Sequence, residues 1–169
     1  MLQLIFLEIL ALLFLIYIIY FLSYSLIKGA PFAPLGRKRT ETMFKLLNCK
    51  KGKKLVDLGS GDGRIVITAF KHGINAVGFE INPLLYFISK MKLKINKIKN
   101  ANIYCKSYWG ENLSSYDYIT LYGTSHIMGG LEKKFMKELR PGTKVVSNHF
   151  KFPNLKEVKQ SNDVYLYVF

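Results

Sequence analysis

The sequence predicts an α/β fold, a largely parallel sheet with helices on both faces, preceded by one N-terminal transmembrane helix. Three observations predict it. Residues 9–27 form an unbroken run of 19 uncharged residues dominated by Leu, Ile, Phe and Tyr. After Gly52, strand-like and helix-like runs alternate along the rest of the chain, the pattern of parallel strands joined by crossover helices. At the first such alternation, an apolar strand runs into three glycines at alternate positions, Gly59, Gly61 and Gly63, just before a helix.

The first run, at ~1.5 Å rise per residue, spans about 29 Å as a helix, which matches a hydrocarbon core. Tyr17, Tyr20 and Tyr24 thicken toward its C-terminal end, where an amphipathic ring suits a headgroup boundary, and Lys28, Arg37, Lys38 and Arg39 follow. That basic cluster keeps the C-terminal side in the cytoplasm by the positive-inside tendency. A cleaved signal peptide fits less well, because no basic segment precedes the apolar run and no A-x-A site follows it. Glu8, near the outer end, reads as interfacial. The expected organisation is an anchor over residues 1–28, a linker over 29–39 and an α/β domain over 40–169.

The linker follows from two prolines and two glycines within Gly29-Ala30-Pro31-Phe32-Ala33-Pro34-Leu35-Gly36. A helix is predicted to restart near Thr40, with Thr40 as its cap and Met43, Phe44, Leu46 and Leu47 on its apolar side. Strands are predicted at 55–58, 76–79, 102–105, 118–122, 144–147 and 164–169. Helices are predicted at 64–71, from Pro83 to about Asn96, and from about Gly130 to Leu139, where Arg140-Pro141-Gly142 ends the last. Asn82 followed by Pro83 is a helix-start signal, since Asn accepts orphan amide bonds and proline at the first helical position loses none.

Composition limits the partners. Residues 28–169 carry 25 basic and 10 acidic side chains, net +15, which favours anionic partners without choosing among them. A solvated basic face beside an anionic bilayer accounts for this charge, and nucleic acid is the less expected partner. Cys49 and Cys105 form no CxxC pair, and His72, His126 and His149 lack metal-ligand spacing, so a reducing compartment and no structural zinc are expected.

The chemistry is concentrated in Val56-Asp57-Leu58-Gly59-Ser60-Gly61-Asp62-Gly63-Arg64. Glycines let the chain turn tightly and let a ligand approach the backbone, and the helix amides that follow favour an anionic group. A nucleotide-like ligand is expected. Dinucleotide folds favour G-x-G-x-x-G, but here the third glycine comes one place early and Asp57 stands two residues before the first.

This pattern resembles motif I of the class I, seven-stranded methyltransferases, whose sheet is Rossmann-like. The resemblance widens with Ala30-Pro31-Phe32-Ala33-Pro34, Gly78-Phe79-Glu80-Ile81-Asn82-Pro83, Thr120-Leu121-Tyr122 and Leu139-Arg140-Pro141-Gly142. Together with the anchor, these segments look like the membrane-anchored lysine methyltransferases related to the ATP synthase c-subunit lysine methyltransferase. The resemblance implies S-adenosyl-L-methionine (SAM) as cofactor, held by Asp57, Gly59, Ser60, Gly61 and Gly63 of the loop and by Asn82. It places Glu80 against both ribose hydroxyls and folds the 31–34 segment over the cofactor. It also implies a protein substrate with a target lysine.

One departure concerns adenine, where the family often carries an acid after the third strand and this chain has Ser107, Tyr108 and Trp109. Ser107 can accept one hydrogen bond and Tyr108 can pack on the base, so a weakened cofactor affinity is expected. Tyr122, and with it Asn148 and His149, are the candidates to line a substrate channel, because ligands of open α/β sheets bind beyond the carboxyl ends of the strands. Two other functions compete: methylation of a lipid or small apolar metabolite, and a non-catalytic SAM-binding module.

Overall fold

The computed structural model describes residues 2–28 and 34–169. Helix α1, Leu2–Lys28, contains a stretch, Gln3–Tyr20, long and apolar enough to cross a membrane, with every one of its side chains exposed. Of the segment expected to close over a cofactor, residues 31–33 lie outside the described residues, and Pro34 lies within them.

Helix α2, Arg37–Leu47, starts three residues before the expected Thr40. Gly36 occupies the cap position in extended backbone. Thr40 sits one turn inside, its hydroxyl donating to the Gly36 carbonyl at 3.4 Å, so it is not the cap. The basic first turn conceals this start, since it carries neither an acid nor a capping side chain.

Then follow β1 (Lys54–Leu58), α3 (Arg64–Lys71), β2 (Asn75–Glu80), α4 (Pro83–Ile95), β3 (Ala101–Cys105), β4 (Tyr118–Tyr122), α5 (Ser125–Glu138), β5 (Lys144–Asn148), β6 (Lys159–Ser161) and β7 (Val164–Val168). Helix α5 begins five residues before the predicted Gly130. The pair Gly129-Gly130 weakens its helical pattern, yet Ile127, Met128, Leu131 and Phe135 bury against the sheet and carry the helix through it. Strand β6 is absent from the sequence-based expectation. Its three residues are all exposed, so no apolar run marks it, and its pairing rests on a two-residue turn at Asn162-Asp163. Both turn residues have positive φ, 51° and 57°, as a tight hairpin turn requires.

The seven strands form one sheet in the order β3-β2-β1-β4-β5-β7-β6. The first five are parallel; β7 runs antiparallel to both β5 and β6. Helices cover both faces, unevenly. On one, Met43, Phe44 and Leu47 of α2, Ile65 and Val66 of α3 and Leu93 of α4 pack on Leu55, Ala76, Ile103 and Val146. On the other, α5 packs on Val56, Leu58, Ile119, Leu121 and Val145, with Leu113 and Phe152 filling the layer. Strand order reverses between β1 and β4, and in such sheets the crevice beyond the carboxyl ends at that point is the ligand site.

Candidate functional site

A pocket opens there. The end of β1, the 59–62 loop, the end of β2 and the end of β4 line it, and Pro34, Leu35 and Met43 close it from the α2 side.

Glu80, the last residue of β2, is its best-defined group. One carboxylate oxygen accepts the Gly61 amide at 2.7 Å and the other accepts the Asn82 amide at 2.8 Å. The side chain is only 7% exposed. Burial pushes its carboxyl above the usual range, and those backbone donors oppose the shift by favouring the ionised form. Each oxygen still has acceptor capacity for a ligand hydroxyl. Asn82 lines the pocket too, but its side chain is committed elsewhere: Oδ1 accepts the amides of Leu84 and Leu85 and caps α4.

Asp57, on β1, is buried and accepts the Thr120 hydroxyl at 2.8 Å. Burial pushes its carboxyl up to about 7; the Thr120 bond pulls it down, and the charges of Glu80 and Asp62 add to the rise. Asp62, in the loop, is different. Burial raises it, but both oxygens are taken by Arg64 at 2.9 Å and one also by Lys92 at 2.5 Å, and these cations hold it down at about 2. Arg64 also donates to the Leu35 carbonyl, so one guanidinium ties the loop to the segment leading into α2. In the sequence, Asp62 and Arg64 stand out only as part of the glycine-rich run.

The three glycines serve separate purposes. Gly59 has φ +82°, and a Cβ there would meet nothing within 4 Å, so its backbone is bare toward the pocket. Gly61 turns the chain to present its amide to Glu80. Gly63 does not line the pocket. With φ +79° it sits at the start of α3, where a Cβ would lie 2.9 Å from Ile103 Cδ1 and 3.0 Å from Ser89 Cβ. Ser60 lines the pocket, but its hydroxyl presses on Gly78, where a Cβ would clash at 2.6 Å, and has no hydrogen-bond partner among the described residues. Gly78, which the sequence does not mark as part of the loop, makes that approach possible.

Tyr108, just beyond the end of β3, lines the pocket on one side, and Leu85 stands on the α4 side. Ser107 is not part of the lining: its hydroxyl accepts the Trp109 amide and caps a short 3-10 turn. Trp109 packs its ring against Gly130 of α5. Tyr122 lines the pocket at the end of β4, edge-on to Phe150. Asn148 is its register partner on β5, fully buried, with neither amide atom paired among the described residues. His149 is exposed, outside the lining, with φ +73° and its amide donating to the Asp163 carbonyl. His126 lies in the first turn of α5, ahead of the helix start predicted near Gly130, 3.0 Å from the Thr124 hydroxyl.

A bare glycine backbone, a carboxylate presented at the second strand's end and a buried acid beside it suit a ligand with sugar hydroxyls and a cationic group.

Comparison with known proteins agrees. Residues 57–159 match the family model described as the ANTKMT methyltransferase domain. The human ATP synthase c-subunit lysine N-methyltransferase is 39% identical over 125 residues, 73% of this chain and 53% of that one. A protein-lysine N-methyltransferase of Saccharolobus islandicus (strain REY15A) is 32% identical over 155 residues, covering 85% of this chain and 96% of its own. Among solved structures, an RNA methyltransferase from Salinibacter ruber in complex with S-adenosyl-L-homocysteine superposes with a TM-score of 0.77 at 28% identity, covering 80% of this chain and 93% of that one. The chain spans about half the length of the vertebrate relatives it matches.

Proposed function

The chain belongs to the family of the ANTKMT methyltransferase domain, and from that premise we propose that it is a SAM-dependent protein-lysine N-methyltransferase acting on a membrane or membrane-associated protein. The observation that carries this reading is the Glu80 carboxylate, oriented by the Gly61 and Asn82 amides at the switch point of the sheet. SAM, when bound, would supply an electrophilic methyl group: the incoming nucleophile bonds to the methyl carbon as its carbon–sulfur bond breaks, and the sulfur leaves as the neutral thioether of S-adenosyl-L-homocysteine.

This chain's residues do the rest. Glu80 would accept from the ribose hydroxyls, the 59–61 backbone would leave room for the methionine portion, and Asp57 would offer its carboxylate to the cationic amino group. Tyr108 and Leu85 give adenine an apolar wall. The acceptor lysine must arrive without its proton. An apolar entrance lowers its pKa and excludes water, and the pocket-lining position suited to that entrance is Tyr122, whose register partner on β5, Asn148, is fully buried and outside the lining. Asn148 Oδ1, buried and unpaired, can accept from the amine without holding it charged. We place α1 across the bilayer, with the domain on its cytoplasmic side; the apolar stretch Gln3–Tyr20 and the basic residues after it support that placement.

The test is to incubate the purified full chain and methyl-labelled SAM with membranes, then separate protein, lipid and RNA. Label recovered as methyllysine with the parent chain, and lost with Glu80→Ala, supports the proposal. Label confined to lipid, or to RNA as the Salinibacter likeness would suggest, overturns it.

A further inference from the structure

Helix α4 has one buried and one exposed face. Ser89 and Leu93 are buried beneath it. Leu84, Phe87, Met91 and Ile95 face the other way, exposed by 67%, 61%, 48% and 72%. Spacings of three, four and four residues align them in one stripe about 17 Å long. Between Glu80 and Glu111 the chain carries six lysines and no acid. Lys94, Lys97 and Lys99 of that set are exposed and stand beside the stripe or just beyond its end.

We propose that α4 lies side-on against an anionic bilayer surface, its stripe at the boundary between headgroups and acyl chains and its lysines among the lipid phosphates. An apolar stripe flanked by long cationic side chains is the pattern of an interfacial helix, because lysine stems cover apolar surface while their ammonium groups reach outward. Other occupants fit less well. A second copy would bring two lysine-rich surfaces together, and four side chains fall far short of the ~800 Å² per partner that a stable interface buries. RNA would be gripped by stacking, yet three of the four exposed residues are aliphatic. Distance also favours lipid. Helix α1 ends at Lys28 and α2 begins at Arg37, so if α1 spans the bilayer, the domain stands within about 30 Å of its surface.

The docking has a consequence for the substrate. Asn82 caps α4 and Leu85 lies in its first turn, and both line the pocket, so docking holds the pocket mouth at headgroup level. Given the methyl-transfer reading of that pocket, on which this consequence but not the docking rests, the target lysine lies at the bilayer interface.

The experiment uses the full chain in nanodiscs of phosphatidylcholine with and without phosphatidylglycerol, the lipids brominated high on the acyl chain. Tryptophan is introduced as Phe87→Trp or, as a control, as Met136→Trp, an exposed position on α5 across the sheet. The parent chain, with Trp109 its single tryptophan, sets the background. Bromine is expected to quench the Phe87→Trp signal at least about twofold with the anionic lipid and less without it. Met136→Trp stays near background, and adding Met91→Glu to Phe87→Trp removes the quenching. Equal quenching at the two positions overturns the proposal. So does a Phe87→Trp signal that follows protein concentration or added RNA and ignores the lipid. Quenching requires no methyl transfer, so the docking can fail while the enzymatic reading stands, and the reverse.

Discussion

Across the seam between β1 and β4, Thr120 Oγ1 donates a 2.8 Å hydrogen bond to Asp57 Oδ1, with both side chains buried. The bond is the main counterweight to the burial that lifts Asp57 to about 7. A cationic ligand amine binds the ionised carboxylate better, so binding must release the proton that Asp57 still holds. Cofactor affinity is expected to rise with pH between 6 and 8, at most about tenfold per unit below the midpoint. Thr120→Val should move that rise to higher pH and destabilise the fold by about 1–3 kcal/mol. Calorimetric titration with SAM at several pH values checks both; a flat affinity profile would show that Asp57 does not face the amine.

The same residue costs stability. In the unfolded chain Asp57 ionises near 3.8, while in the fold it keeps its proton up to about 7. The folded state therefore binds more protons in that window, and stability falls as pH rises through it. The penalty is absent below 3.8 and complete above about 7. Asp57→Asn keeps an acceptor for Thr120 and never ionises, so it should be more stable than the parent at pH 8, by up to about 4 kcal/mol, and equal to it near pH 4. Cofactor affinity should drop in the same variant. Urea unfolding of the micelle-bound chain at the two pH values decides the sign.

Glu80 is expected to be intolerant even of its own amide. Glutamine can accept one of the two backbone amides but must turn an NH2 toward the other, and it loses a charge-assisted acceptor for the ligand. Glu80→Gln should weaken SAM binding by about 10–100-fold. An affinity within twofold of the parent's would remove Glu80 from the ribose site.

Two glycines that look alike in the motif should respond in opposite ways. Gly63→Ala forces a methyl against Ile103 and Ser89 at positive φ, and should cost about 2–4 kcal/mol of stability. Gly59→Ala meets no protein atom within 4 Å, so its stability cost is limited to backbone strain of about 1–2 kcal/mol, while an added methyl on this pocket-lining residue should weaken binding. Thermal unfolding with and without SAM separates the two effects. If Gly63→Ala proves the milder in stability, the packing account of this loop is wrong.

These contrasts mark where the sequence can be read and where it cannot. Asp57, the glycine run and Glu80 are legible because one strand, one turn and the end of the next strand carry the chemistry within 24 residues. Leu35 and Met43 reach the pocket only because α2 packs over it, and nothing local announces that. The Asp62–Arg64–Lys92 clamp draws one of its members from α4, 30 residues away. Strand β6 has no apolar signal, and its sole local mark is the turn at Asn162-Asp163. Ser107 stands outside the pocket lining for a local reason: its hydroxyl accepts the Trp109 amide and caps the turn that follows.

Substituting Asn148 tests substrate handling apart from cofactor binding. Its amide is fully buried on β5 with neither atom paired among the described residues, an arrangement that costs a fold about 1–3 kcal/mol unless a ligand or water completes it. Leucine is close in shape and needs no partner. Asn148→Leu is therefore expected to raise stability by about 1–2 kcal/mol, to leave SAM affinity within twofold, and to cut methyl transfer at least about tenfold, since the amine loses its neutral acceptor. Unfolding, calorimetry and a labelled-methyl assay on one preparation give the three values. Unchanged transfer beside raised stability would make Asn148 a packing defect, and the amine's acceptor would then be sought at Tyr122.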